Sequence, residues 1–239
     1  YSVVHEGGHA LYELHTGREL ARSNLGSGVS MGIHESQSRF YENIIGRSRA
    51  FCSVIYPWLK EHFAPRLDNV TEDAFYRMIN KSQPSLIRTE ADELTYCLHI
   101  MVRYELEKRM FDGTLTAHDL PAEWNRLYKE YLGIDVPDDR QGVLQDSHWA
   151  NGNIGYFPSY AIGSAYGAQY LLELSKVLDV DAVVRSGDLT PINNWLEEKI
   201  WKYGCMKNPV ALFESVCGKF DPDCYVAYLE KKFTEVYDL

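Results

Sequence analysis

The chain has 239 residues, enough to bury a substantial core as a single domain. Its 24 Lys and Arg against 34 Asp and Glu leave a net charge of −10, and no long basic run offsets it, which argues against a nucleic-acid or membrane-surface partner. There is no recognisable signal peptide and no apolar stretch long enough to span a bilayer, and the five cysteines (Cys52, Cys97, Cys205, Cys217, Cys224) are odd in number without a C-x-x-C pair, which fits reduced thiols in a cytoplasmic protein.

The first predicted element is a helix in which Val3, Val4, Ala10, Leu11 and Leu14 recur at helical spacing, with Gly17 as its stop. It carries an H-E-x-x-H pentad: His5, Glu6, Gly7, Gly8, His9. Residues four apart share a helix face, so His5 and His9 can hold one ion, and Glu6 borders the same space as a proton acceptor for an activated water. Gly7 and Gly8 each cost a helix interior roughly 1 kcal/mol relative to Ala, and they clear side chains from beside the ligands for a substrate or a neighbouring helix. A catalytic zinc needs a third protein ligand. Glu13 and Glu19 lie too close in sequence to fold back onto the metal face. Glu35 follows a glycine-rich connection (Gly26, Gly28, Gly32) and opens a second apolar-periodic helix carrying Phe40, Ile44, Ile45, Phe51, Val54 and Ile55. His34 competes with Glu35 as ligand. Glu42, two turns on, is expected on the Glu35 face, either as an outer partner that orients a ligand histidine or as an ordinary surface acid.

Further helices are predicted after Asn69-Val70-Thr71 through Lys81, over 86–112 with Gly113 as stop, and from Asp119 with Pro121 to Gly133. Others follow over 158–178, 191–203, 208–217 and 222–237. Strand-like alternation is scarce, so the fold class is mainly α. Between Gln145 and Tyr166, glycines mix with Asp146, His148, Trp149, Tyr156, Tyr160 and Tyr166, as in a loop that lines a pocket or one that stacks its own aromatics.

Beyond the pentad, His34-Glu35-Ser36-Gln37 resembles the H-E-S-Q motif of the carboxypeptidase Taq family of zinc metallocarboxypeptidases. Ile87-Arg88-Thr89-Glu90-Ala91-Asp92 resembles its I/V-R-x-x-A-D motif, and the stretch from Gly142 to Trp149 its G-x-x-Q-D-x-H-W motif. The resemblance implies a helical zincin-like metallopeptidase fold. It also implies one Zn²⁺ per chain (Co²⁺ or another divalent ion being compatible) on His5, His9 and Glu35, with Glu6 as general base, and a homodimer. The family's H-P-F and D-x-R-x-T motifs are not found, so the chain is expected to be the C-terminal half of a larger helical protein, a single domain or part-domain over 1–239.

The implied activity releases C-terminal residues from peptides with a free C-terminus. That needs a cation for the substrate carboxylate, and Arg88 is the candidate; the alternative is a solvated Arg88–Asp92 pair at helical spacing. His148 with Tyr156 or Tyr160 are candidates for substrate binding and oxyanion stabilisation. Two other functions fit the same residues: a zinc oligopeptidase that cuts internally, and an inactive metal-binding fragment.

Overall fold

A computed structural model describes all residues from Tyr1 to Leu239; it is built from helices and contains no strand. The helices are α1 (Ser2–Leu14), α2 (Met31–Arg39), α3 (Arg49–His62), α4 (Glu72–Ile79), α5 (Tyr96–Phe111) and α6 (Leu120–Leu132). They continue as α7 (Pro158–Leu174), α8 (Val180–Ser186), α9 (Thr190–Lys199), α10 (Pro209–Cys217) and α11 (Asp223–Tyr237). None is long and apolar enough to cross a membrane, and all five cysteines are free thiols.

The chain forms two compact units, one of residues 1–80 and 162–239, the other of residues 81–161. In the first, Tyr12 of α1, Ile33 of α2, Tyr170 and Leu174 of α7, Ile192 and Leu196 of α9, and Leu212 and Phe213 of α10 are fully buried in one apolar core. In the second, α5 and α6 pack through Val102, Leu106, Trp124, Leu127 and Tyr128.

The helix predicted to run on from Glu35 is interrupted. After α2 the chain widens into a π-helical segment, Phe40–Ile45, closed by a hydrogen bond from the Gly46 N–H to the Tyr41 carbonyl, five residues back (2.8 Å). The widened turn leaves the Asn43 carbonyl to an outside donor, the buried Lys232 Nζ of α11 (3.2 Å). α3 then starts afresh at Ser48, whose Oγ accepts from the Phe51 N–H (3.0 Å). The helix predicted over 86–112 also starts later, at Tyr96, and Arg88 sits instead in a 3₁₀ turn, Arg88–Glu90. Asp92 explains the delay. Its carboxylate accepts from the Leu94 and Thr95 N–H groups and from the Ser82 hydroxyl, an arrangement that competes with continuing helix. Elsewhere the predicted boundaries hold in part: Thr71 caps the start of α4 and Gly133 ends α6 in the left-handed region at φ 72°, whereas α1 ends at Leu14 with His15 as its cap, short of the predicted stop at Gly17. α8, whose N-cap is Asp179, falls between the helices expected over 158–178 and 191–203.

Candidate metal centre and a second polar cluster

The first unit brings the pentad and Glu35 together. α1 and α2 can approach closely because Gly8 has no side chain: a Cβ there would lie 2.7 Å from the Gln37 carbonyl oxygen and 2.7 Å from Ser38 Cα. α7 presses on the other side of α2 in the same way, since a Cβ on Gly163 would lie 2.5 Å from Glu35 Cβ. α2 is thus pinned backbone to backbone. Apart from Ile33, its buried side chains are polar, and they are hydrogen-bonded: Gln37 Nε2 donates to Ser36 Oγ (2.8 Å), Trp201 Nε1 donates to Gln37 Oε1 (2.8 Å), and Ser38 Oγ donates to Glu35 Oε2 (3.0 Å).

In this frame, His5, His9 and Glu35 point one potential ligand atom each into a single space, all within 4.8 Å of one another. Glu35 Oε2 lies 3.6 Å from His5 Nε2 and 3.9 Å from His9 Nε2. Donors placed tetrahedrally at zinc distances stand roughly 3.3 Å apart, so a small inward adjustment closes the set around such an ion. Two imidazoles and one carboxylate are the protein donor set of one class of catalytic zinc site. His9 suits the role because its pKa is pushed down to about 4, by burial first and against the raising effect of Glu35, so it is neutral at pH 7. Glu6 sits on the exposed side of α1, next to Gly7, where a Cβ would meet nothing within 4 Å. The two pentad glycines therefore serve different sides: Gly8 the neighbouring helix, Gly7 the open space.

Glu42 reaches this centre from the π segment. Its Oε2 is 2.8 Å from His5 Nδ1 and accepts from Arg39 Nη1 (3.2 Å). Burial raises the Glu42 pKa, but the His5 hydrogen bond and the Arg39 charge outweigh it and hold the carboxyl below its usual range. It touches a histidine's far nitrogen and is no surface acid. Glu13, not expected at the metal face, and His34, the competitor of Glu35 for the ligand position, also belong here. His34 Nδ1 lies 3.1 Å from His9 Nδ1, and His34 Nε2 lies 2.7 Å from Glu13 Oε1. The signal that could have found Glu13 is its spacing, four residues after His9 on the same helix face.

The second unit collects the other four predicted residues in a cluster of its own. Arg88 is buried, with Nε and Nη2 donating to Asp146 (3.0 and 2.6 Å) and Nη1 to the Tyr96 hydroxyl (2.8 Å). It forms no pair with Asp92. Arg103 Nε also donates to Asp146 (2.7 Å), and its Nη2 donates to Gln145 Oε1 (2.9 Å). Burial raises the Asp146 pKa, but the Arg88 hydrogen bonds and the charges of Arg103 and Arg88 bring it below the usual carboxylate range. Two guanidiniums share one carboxylate, so a positive charge is left over. The Arg88 guanidinium lies 4.9 Å from the Tyr160 ring centroid, and His148 Nε2 is 3.1 Å from the Tyr160 hydroxyl. Tyr156 packs 5.3 Å from Tyr160 and 5.5 Å from His148, centroid to centroid. Burial and the Arg88 charge lower the His148 pKa. The glycine- and aromatic-rich stretch divides at Pro158, where α7 begins, so Tyr160 and Tyr166 stand on a helix and not in a loop.

A profile of the carboxypeptidase Taq (M32) metallopeptidases matches residues 1–233. The chain is similar to Carboxypeptidase 1 of Bacillus subtilis, 44% identical over 239 residues, or 99% of this chain and 48% of that protein. It is also similar to Thermostable carboxypeptidase 1 of Pyrococcus furiosus, at 43% over 234 residues, or 97% of this chain and 47% of that one. Among solved structures, an M32 carboxypeptidase from Deinococcus radiodurans superposes with a TM-score of 0.97 at 40% identity, over 100% of this chain and 49% of the other. A carboxypeptidase of Pyrococcus furiosus, described as Apo-Mg, gives 0.94 at 43% identity, over 97% of this chain and 47% of the other. The chain spans about half the length of the curated relatives it matches.

Proposed function

The chain belongs to the carboxypeptidase Taq (M32) metallopeptidase family, and on that premise we propose that it carries the metal centre and the substrate-carboxylate site of a zinc-dependent metallocarboxypeptidase. Membership of a metallopeptidase family implies a divalent metal; the proposal is that the metal is Zn²⁺, with Co²⁺ as a competent substitute. The observation that carries the reading is the convergence of His5, His9 and Glu35. These three residues would hold the ion, which when bound supplies Lewis acidity to water and to the scissile carbonyl.

The remaining steps fall to this chain's side chains. Glu6 takes a proton from the attacking water on its carboxylate and gives it to the leaving amine. Glu42 holds His5 by accepting from its Nδ1–H. Arg88 receives the substrate's terminal carboxylate. Asp146 and Tyr96 engage its Nε and one N–H on each terminal nitrogen, which leaves a second N–H on Nη1 and on Nη2, the edge suited to a bidentate carboxylate. His148 and Tyr160, with Tyr156 beside them, supply hydrogen bonds to the substrate and to the developing oxyanion. The substrates are peptides with a free C-terminus, the site of action is the cytoplasm, and the assembly is a homodimer. Neither a membrane nor a nucleic acid is a partner.

Two measurements on the purified chain test the reading: metal content by elemental mass spectrometry, and release of free amino acids from short peptides. One zinc per chain that is lost in His9→Ala is the expected result. Undiminished zinc in that variant would refute the ligand set. Metal without peptide hydrolysis would favour an inactive metal-binding fragment, and cleavage inside peptides that ignores Arg88→Ala would favour an oligopeptidase.

A further inference from the structure

We propose that Glu13 and His34 form a relay that fixes His9 as a metal ligand through Nε2, and that Gly28 is the backbone position that keeps the relay closed. The inference rests on the metal-site reading and adds three residues to it. Both nitrogens of one imidazole are engaged. His34, on α2, presents Nδ1 to His9 Nδ1 at 3.1 Å and Nε2 to Glu13 Oε1 at 2.7 Å, so one ring spans a single turn of α1 between residues four apart.

The proton positions follow from the contacts. A neutral histidine that gives Nε2 to a metal carries its proton on Nδ1. The His9 Nδ1–H then faces His34 Nδ1, which must accept. The His34 proton is therefore on Nε2, and it is donated to Glu13. Glu13 Oε1 also accepts from the Gly28 N–H (2.9 Å), which ties the far end of the relay to the glycine-rich connection. The Tyr12 ring lies against His34, 4.8 Å between centroids, and the Tyr12 hydroxyl accepts from the Val29 N–H (3.1 Å), so α1 and this connection hold the ring from both sides. No side chain fits at Gly28: a Cβ would lie 2.3 Å from His34 Nε2, 2.6 Å from its Cδ2 and 2.7 Å from Tyr12 Cε1. The two histidine ligands are thus oriented differently. His5 meets the Glu42 carboxylate directly, and His9 meets a carboxylate only through a second imidazole.

His34 and Glu13 are positioning residues, so the test reads metal affinity and tautomer. Competition against a fluorescent chelator gives the Zn²⁺ affinity of the wild type and of the variants His34→Ala, Glu13→Ala, Gly28→Ala and the Glu13→Ala/His34→Ala double. His34→Ala and Gly28→Ala should weaken Zn²⁺ binding about 10- to 100-fold. Glu13→Ala should weaken it less, because that side chain is 44% exposed, and the double variant should be no worse than His34→Ala alone. Long-range ¹H–¹⁵N correlation spectra of the metal-free wild type should show His34 as the Nε2–H tautomer. Glu13→Ala should shift it towards a mixture, a signature that a purely structural role would not produce. Affinity within twofold of wild type in His34→Ala and Gly28→Ala, alongside loss of metal in His9→Ala, would overturn the relay and leave the metal site standing. A His34 Nδ1–H tautomer in the wild type would overturn it even if the variants fail to fold. Retention of metal in His9→Ala would overturn the metal-site reading itself, and the relay with it.

Discussion

Adjacent glycines of the pentad should respond oppositely to the same substitution. In Gly8→Ala the new methyl would start 2.7 Å from the Gln37 carbonyl oxygen and from Ser38 Cα, and 2.9 Å from the Gln37 carbonyl carbon. All three are backbone atoms and cannot swing aside. Restoring ordinary contact distances requires α1 and α2 to separate by roughly 0.7–1 Å. Overpacking of this kind costs about 1–3 kcal/mol, and the helix-propensity gain of Ala over Gly, about 0.8–1 kcal/mol, offsets only part of it. The separation also falls between the two proposed ligands of α1 and the one of α2. Metal–ligand distances tolerate only about 0.2 Å, so Zn²⁺ affinity should drop at least about 10-fold. In Gly7→Ala the methyl meets nothing within 4 Å, so the propensity gain stands alone and raises Tm by roughly 2–4 °C. The assays are calorimetry of both variants without metal and chelator competition with zinc. A Gly8→Ala protein that melts above wild type and binds zinc normally would refute the close-approach argument.

Glu6→Gln should keep its zinc but lose peptide hydrolysis by about 10²-fold or more, because the amide cannot accept the water's proton; normal turnover would remove Glu6 from the mechanism. Arg88→Ala should sharply reduce hydrolysis of free-acid peptides while amidated peptides stay equally poor substrates for both proteins, and equal rates on free acids would refute the clamp. For pH, burial first, and then the Arg103 and Arg88 charges, push the His99 pKa down to about 3. An unfolded histidine takes up its proton near pH 6.5 and the folded one does not, so this residue's contribution to stability is lost as pH falls from about 6.5 towards 3. The loss should reach about 3 kcal/mol by pH 4, read from urea titrations at a series of pH values, and His99→Gln should flatten the slope. Equal slopes in the two proteins would exclude His99 as the source.

The convergence of His5, His9 and Glu35 was partly readable because its information is mostly local. His5 and His9 need only helical spacing; a turn back of the chain allowed His34 or Glu35, and the H-E-S-Q resemblance favoured Glu35. The all-helical class was readable for the same reason, from apolar periodicity and from stops such as Gly133. What escaped depends on contacts between segments distant in sequence. Glu13 was dismissed as too close in sequence to act as a ligand, yet it shares the helix face of His9 and a histidine from α2 bridges the two. Arg88 was assigned to a helix start because apolar spacing continues through 87–102, and nothing in that spacing reveals that the Asp92 carboxylate will take the Leu94 and Thr95 amides. Asp146, 58 positions from Arg88, could be named from the motif but not paired with it.

The π-helical segment Phe40–Ile45 imposes a rule on length. Glu35 and Glu42 serve the same centre from one continuous stretch, and part of the path between them runs through widened turns. Losing one codon between Phe40 and Glu42 would resorb the widened turn into regular helix, and Glu42, which sits inside that turn, would lose the aim that brings its carboxylate to His5. A substitution there changes one side chain; an indel changes the aim of the whole turn that carries Glu42. When relatives are aligned, the interval from Glu35 to Gly46 should therefore behave as a gap-free ruler, constant in length even where its letters drift.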